Sequence, residues 1–435
     1  MKFYNREKEL ALLAKIEDRS RKAAQMTFLV GRRRIGKTSL LVKAYPENSL
    51  YFFVEKKNEA LLCEEFLEEI KNKLHVAPHG EIKTFKNLFI YLMDLSVERS
   101  FTLIIDEFQE FSTINSAVYS EMQHIWDKKK AESRINLILC GSIYSMMHRI
   151  FENSKEPLFG RATQRIHLKE FGINTLKEIL EDNAPNYSSD DLLAFYMLTG
   201  GVARYVELLV EAQAFTLPTI LDEFFSENSF FLDEGKNVLI DEFGKDYGNY
   251  FSILSLIAAS KTSRPEIESI LEMQIGGYLD RLEADFNIIG KVRPMFAKPG
   301  SRSVKYQIYD NFLNFWFRFI YKYRSAVEMG NLQYVRTIVE RDYAVYSGRV
   351  LEKYFMQQLK QSGCFSEIGS YWESGNKNEI DIVGVNDLEK TITFVEVKRK
   401  RENVSLEVLK EKSTALCAKF KGYNVEYRAL GMEDM

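Results

Sequence analysis

The residues whose types and spacing carry the clearest chemistry are Gly31-Arg32-Arg33-Arg34-Ile35-Gly36-Lys37-Thr38-Ser39. Gly-x4-Gly-Lys-Thr is the pattern of a phosphate-binding loop, in which glycines let successive backbone N–H groups curl around a phosphate. The expected nucleotide-binding set is Gly31, Arg34, Gly36, Lys37, Thr38 and Ser39, with Lys37 on the β- and γ-phosphates of ATP and Thr38 on Mg2+. A second group follows at Asp106-Glu107. Asp106 would complete the Mg2+ shell and Glu107 would orient and polarise the attacking water, unless the pair merely starts a solvated turn. Ser142 is the candidate sensor of the γ-phosphate, although a plain strand-ending turn would look the same. Arg161 is placed to detect or stabilise that phosphate, in its own subunit or a neighbour's; the alternative is a surface arginine. Arg204, after the Gly200-Gly201 pair, either faces the nucleotide from a helical lid or caps a helix end.

These groups need a scaffold, and the surrounding sequence supplies one. Met26–Val30, Tyr51–Val54, Phe101–Asp106 and Ile135–Cys140 are short apolar runs of the kind buried strands require. Leu40–Ala44 and Leu61–Leu74 read as helices between them. Strands alternating with helices predict a parallel α/β sheet whose C-terminal edge gathers the loop and the acids. Further on, Tyr250–Ala259, Arg264–Leu271 and Ile275–Phe286 read as three short helices. Ile288–Arg293 and Val304–Ile308 read as two strands around Pro299-Gly300-Ser301, which together make a winged-helix layout. Its hairpin is basic through Lys291, Arg293, Lys298, Arg302 and Lys305, as phosphate contacts require. The third helix carries Asp280, Glu283 and Asp285, so the module either touches DNA or serves for packing and partner binding.

The last hundred residues hold another constellation. A helix is predicted to open at Ser347-Gly348, and Asn378–Val385 and Thr391–Lys398 alternate as strands joined across Asn386–Lys390. Period two puts Glu379 and Asp381 on one face, and Glu396 and Lys398 on a face continuous with Ile392 and Phe394. A side that begins apolar and ends in Glu and Lys suits a site at the edge of a core; a surface hairpin with an ion pair is the alternative. Asp381 followed by Glu396-Val397-Lys398 resembles PD-(D/E)xK nucleases. The resemblance implies that Asp381 and Glu396 share Mg2+, that Lys398 positions water, and that Glu352 leans in from the preceding helix. Lys398–Arg401 adds a basic run beside them.

A chain of 435 residues is long for one core, which implies about two to four domains. A net charge of −3 excludes a uniformly basic protein, so any DNA contact must come from local patches. Cys63, Cys140, Cys364 and Cys417 form no C-x-x-C pair, which fits a reducing compartment. The start lacks the apolar stretch of a signal peptide. Phe312–Tyr323 is too short to span a bilayer and contains Arg318 and Lys322, so a buried helix is expected and no membrane contact. The expected location is the cytoplasm.

The order Arg6-Glu7, GRRRIGKTS, LIIDEFQEF, LILCGS, PLFGR and LTGGVARY resembles the bacterial and archaeal AAA+-related ATPases that carry a C-terminal restriction-endonuclease-like domain of unknown function. Such ATPases pack a similar Arg-Glu-x-Glu-Leu segment near the adenine. This chain departs from the family at Ala203, where Pro is usual. The expected domains are a P-loop ATPase core over 1–170, a helical lid over 171–242, a winged helix and linker helix over 243–328, and the nuclease-like domain over 329–435. Two functions are consistent with this reading, beside a third, a winged-helix transcription regulator. One is an ATPase whose nucleotide state controls a metal-dependent nuclease. The other is a regulatory NTPase whose C-terminal domain only binds DNA or a partner protein. Self-assembly into a homo-oligomer fits either.

Overall fold

The computed structural model describes residues 1–78, 80–244, 247–298, 300, 303–373, 375 and 377–435. The chain divides into two compact units, Phe3–Glu170 and Phe171–Met435, the latter also holding Met1–Lys2.

The first unit is built on five parallel strands: β1 (Gln25–Val30), β2 (Ser49–Phe53), β3 (Phe101–Asp106), β4 (Ile135–Gly141) and β5 (Gln164–His167). Their order is β2-β3-β4-β1-β5. The central strands β3 and β4 are buried at every position, because helices cover both faces of a parallel sheet. Alternation assigns the faces. Phe28, Leu103, Ile105, Leu137 and Leu139 pack with the helices Glu59–Leu74, Phe85–Glu98 and Val118–Lys129. Leu29, Ile104, Ile138 and Cys140 pack with Glu7–Ser20 and with the helix Lys37–Ala44 that follows β1. Burying both faces fixes the register, since a one-residue slip would exchange the two cores.

The second unit begins with helices Ile173–Asn183, Ser189–Thr199, Ala203–Glu211, Leu217–Phe224 and Phe230–Phe243. Three more follow: Tyr247–Ala258, Arg264–Leu271 and Gly276–Asp280, the last widening into a π turn over Arg281–Asp285. An antiparallel hairpin, β6 (Ile289–Val292) with β7 (Lys305–Ile308), comes next. The expected turn residues Pro299 and Ser301, and the basic residue Arg302, lie outside the described residues.

The chain ends in a four-stranded sheet ordered β11-β10-β9-β8. Its strands are β8 (Glu367–Tyr371), β9 (Ile380–Asn386), β10 (Thr391–Val397) and β11 (Asn424–Leu430), with helix Leu406–Cys417 before β11. β9 and β10 pair antiparallel across the connection expected for them, while β10 and β11 run parallel. The helix before β8 does not open at Ser347. It runs unbroken over 30 residues, Leu332–Gln361. Ser347 sits inside it because its hydroxyl donates to the Tyr343 carbonyl at 2.6 Å, so this helix-starting residue type is satisfied within a helix. The apolar segment around Phe315-Trp316-Phe317 is buried. No helix among the described residues is long and apolar enough to cross a membrane.

Candidate functional site

The loop between β1 and the helix Lys37–Ala44 takes its shape from its glycines. A Cβ at Gly31 would lie 2.7 Å from the Leu168 carbonyl oxygen, and Gly36 has φ 93°, where side chains are strained. Arg34 also adopts the left-handed conformation, with φ 69°. Lys37 opens the helix and is only 7% exposed. Its ammonium donates to the Gly31 carbonyl at 2.8 Å and the Arg32 carbonyl at 3.2 Å, so it sits inside the loop. Burial lowers its pKa, opposed by Cys140, Asp106 and Glu107. Thr38 and Ser39 are exposed at the helix start.

β3 delivers Asp106 to the same edge. Thr38 Oγ1 donates to Asp106 Oδ2 at 3.3 Å, and the Tyr51 hydroxyl donates to that same oxygen. Oδ1 accepts the Glu107 amide at 2.9 Å and the Cys140 thiol at 3.2 Å. Hydroxyl and carboxylate oxygens this close are the hard donors Mg2+ prefers. Glu107, at φ 53°, turns the chain away from the strand, and its Oε2 accepts the Ser142 hydroxyl at 2.7 Å. The Gln109 amide donates to the same oxygen. Gly141 lets this happen, since a Cβ there would collide with the Gln109 side chain. The structure therefore brings Lys37, Thr38, Asp106, Glu107 and Ser142 together. Neither Tyr51 nor Gln109 stands out in the sequence: Tyr51 belongs to an apolar run that reads as core, and Gln109 lies among the polar residues after the acid pair.

Arg161 is not brought to this edge. Its guanidinium donates to Asp127 Oδ2 at 2.9 and 3.2 Å and to the Phe159 carbonyl. Nearby Thr163 bonds Met26, at the start of β1 and so at the opposite end of the strands from the loop. Arg6 is buried, with its guanidinium 2.6 Å from the Lys169 carbonyl oxygen. An open cleft of about 540 Å³ lies along the outer side of the loop helix, lined by Phe3, Thr38, Ser39, Val42, Lys43 and Pro46.

In the second unit, Gly200 and Gly201 both have positive φ, and a Cβ at Gly201 would collide with the Phe171 backbone. Arg204 follows this turn, and its guanidinium is 2.6 Å from Glu207 on the same helix.

The C-terminal sheet gathers its own cluster. Asp381 accepts the Val397 amide at 2.8 Å. The Lys398 ammonium is 3.1 Å from Glu396 and 3.9 Å from Asp381. Lys412, on helix Leu406–Cys417, donates to both Glu396 oxygens at 3.1 and 3.2 Å. It was missed because it stands outside the short motif. Glu352, from the long helix, is held well above the usual carboxylate range, first by burial and then by Asp381. Burial and Glu396 raise Asp381 in the same way. Yet among the described residues no three acidic, His or Cys side chains are gathered so as to hold a metal. Glu396 turns toward two ammonium groups, and like charges in a buried place favour this pairing over close approach of the acids.

The basic stretches are largely occupied internally. Lys291 is 3.4 Å from Asp280 and 2.5 Å from Glu283, and Lys305 is 2.8 Å from Glu379 while lying over the Trp372 ring. Arg399 bonds Asp190 at 2.9 Å and Ser347 at 2.6 Å, Lys400 is 3.9 Å from Glu402, and Arg401 bonds Asp434 at 2.8 Å. Arg293 and Lys298 are exposed.

The parallel sheet with its glycine-lysine-threonine loop and acid pair has the fold of P-loop ATPase domains, and the second unit ends in a small mixed sheet. The comparisons agree. Residues 3–209 match the model of an ATPase domain predominantly from Archaea, and residues 316–414 match that of archaeal and bacterial proteins of unknown function. An uncharacterized protein of Methanocaldococcus jannaschii is 29% identical over 412 residues, covering 92% of this chain and 88% of that one. Among solved structures, the Walker-type ATPase PABY2304 of Pyrococcus abyssi has a TM-score of 0.55 at 18% identity, over 73% of this chain and 96% of that one. The ORC2 protein of Aeropyrum pernix, in ADPNP–ADP complexes, has a TM-score of 0.52 at 14% identity, over 75% and 96%. At these identities the likeness is one of fold.

Proposed function

We propose that this protein hydrolyses ATP at the loop between β1 and its helix, and that its nucleotide state governs a metal-dependent phosphodiester-cleaving site in the C-terminal sheet. The observation that carries the first part is the meeting of Lys37, Thr38, Asp106, Glu107 and Ser142 at one sheet edge. Lys37 would bind the terminal phosphates, and the loop amides with the helix N-terminus would cradle them. Thr38 and Asp106 would hold Mg2+, which neutralises charge as it develops on the phosphoryl oxygens. Glu107 would orient and deprotonate water, with Ser142 and Gln109 holding its carboxylate in place. Phe3 and Val42 beside the loop helix offer an apolar surface for the base. Arg161, at the far end of the strands, would serve only a neighbouring subunit's nucleotide.

The nuclease reading is supported by the order helix, three strands, helix, strand, and by Lys398 lying 3.1 Å from Glu396 and 3.9 Å from Asp381. Asp381 and Glu396 would bind the cation, and Lys398 would position water. It is tested with supercoiled and single-stranded DNA under Mg2+ or Mn2+, with and without ATP. Asp381→Ala should abolish nicking while ATP turnover continues; no cleavage of any DNA or RNA by the wild type removes this part. A second reading, a regulatory ATPase whose C-terminal domain binds DNA or a partner without cutting, is favoured by the two lysines held on Glu396. Its mark would be ATP-dependent binding or assembly with intact phosphodiesters. The three helices and hairpin fit a winged helix that packs internally through Lys291 and Lys305.

A further inference from the structure

Asp106 is gripped from several sides, and one grip comes from a residue with no assigned role. Tyr51 lies on β2, opposite Ile104 of β3 in the parallel register. Its ring packs in the cluster formed by Ile104, Leu40 and Leu41, on the face that carries the loop helix. That packing aims the phenol at the sheet edge, where it donates to Asp106 Oδ2, the oxygen that Thr38 Oγ1 also reaches at 3.3 Å. The other carboxylate oxygen is held by the Glu107 amide and the Cys140 thiol. Both oxygens are thus fixed by groups on separate elements, and the Tyr51 hydroxyl stands where threonine hydroxyl and carboxylate meet.

A phenylalanine would fill the same space, so the hydroxyl is what needs explaining. A phenol is protonated at neutral pH, so the Tyr51 hydroxyl serves as a donor to the carboxylate. A phenol that donates its one proton keeps lone pairs for accepting. Groups standing behind metal ligands orient them and are worth about 10–100-fold in metal affinity.

We propose that Tyr51 is a positioning residue for the Mg2+ of the Mg–ATP complex: it fixes the Asp106 carboxylate and accepts a hydrogen bond from water on the cation. This rests on the proposed ATP site and adds to it an outer contact from β2.

The test uses the full chain and a fluorescent, non-hydrolysable ATP analogue, bound first in EDTA and then titrated with Mg2+. Tyr51→Phe should raise the Mg2+ concentration for half-maximal effect by about tenfold, with affinity in EDTA and the melting temperature unchanged. In an Asp106→Asn background the same change should have less than about a twofold effect, because the two residues act as one unit. An unchanged Mg2+ requirement in Tyr51→Phe overturns the proposal. So does an equal loss of affinity in EDTA, which would make the hydroxyl a purely structural group. If the wild type itself binds no analogue, the ATP site falls, and this inference with it.

Discussion

At the residue scale, the proposed nucleotide site depends on how one carboxylate is held. Glu107 accepts hydrogen bonds from Ser142 and Gln109, so its charge has a fixed direction. Glu107→Gln should bind ATP normally and hydrolyse it about 10²–10⁴-fold more slowly, the range for loss of a general base. Single-turnover hydrolysis beside equilibrium binding separates the two effects; unchanged turnover would show that another group activates the water. Glu352 allows a pH test. Burial, with Asp381 beside it, pushes its carboxyl up to about 8, so the folded state holds a proton that the unfolded chain releases. The stability from that proton is fully present below the unfolded value and is lost as pH rises through about 8. Glu352→Gln should therefore gain most over the wild type at about pH 9 and least near pH 4. Thermal melts in EDTA across that range check the sign.

At the element scale, the β6–β7 hairpin is a strut. Beyond β6, the Met295 amide donates to the Ser370 carbonyl at 2.9 Å, and Trp372 donates to Ser303 at 3.0 Å. Phe296 lies 5.1 Å from Phe420, ring to ring, at the edge of the C-terminal core. A hairpin anchored this way has Lys291 committed to Asp280 and Glu283, and Lys305 to Glu379. Phe296→Ala should cost about 1–3 kcal/mol, below the usual range for a fully buried phenylalanine because the ring is half-buried. Urea unfolding followed by Trp fluorescence would detect the loss, and a change within error would mean that the anchor lies elsewhere.

At the scale of the whole molecule, the proposed coupling makes two reciprocal predictions. Lys37→Ala should abolish nucleotide binding and leave any cleavage indifferent to ATP. Asp381→Ala should leave ATP turnover intact and abolish cleavage. Cleavage that still responds to ATP in Lys37→Ala would locate the nucleotide's action outside the loop.

The amino-acid order alone was enough to identify the phosphate loop, the apolar strand before it and the acid pair ending β3. Each of these depends on contiguous residues: glycine's permissive backbone, a buried run of six or seven residues, and the helix N-terminus. The β9–β10 hairpin was legible for the same reason, through alternation and a short polar connection. What only the tertiary structure decided is how charges distant in sequence find one another. Lys412 on Glu396, Arg399 on Asp190, Arg161 on Asp127 and Tyr51 on Asp106 are pairs that no local pattern encodes. A run of lysines and arginines reads as a phosphate patch until folding supplies each with a carboxylate, because the energy of a charge depends on its neighbours in space.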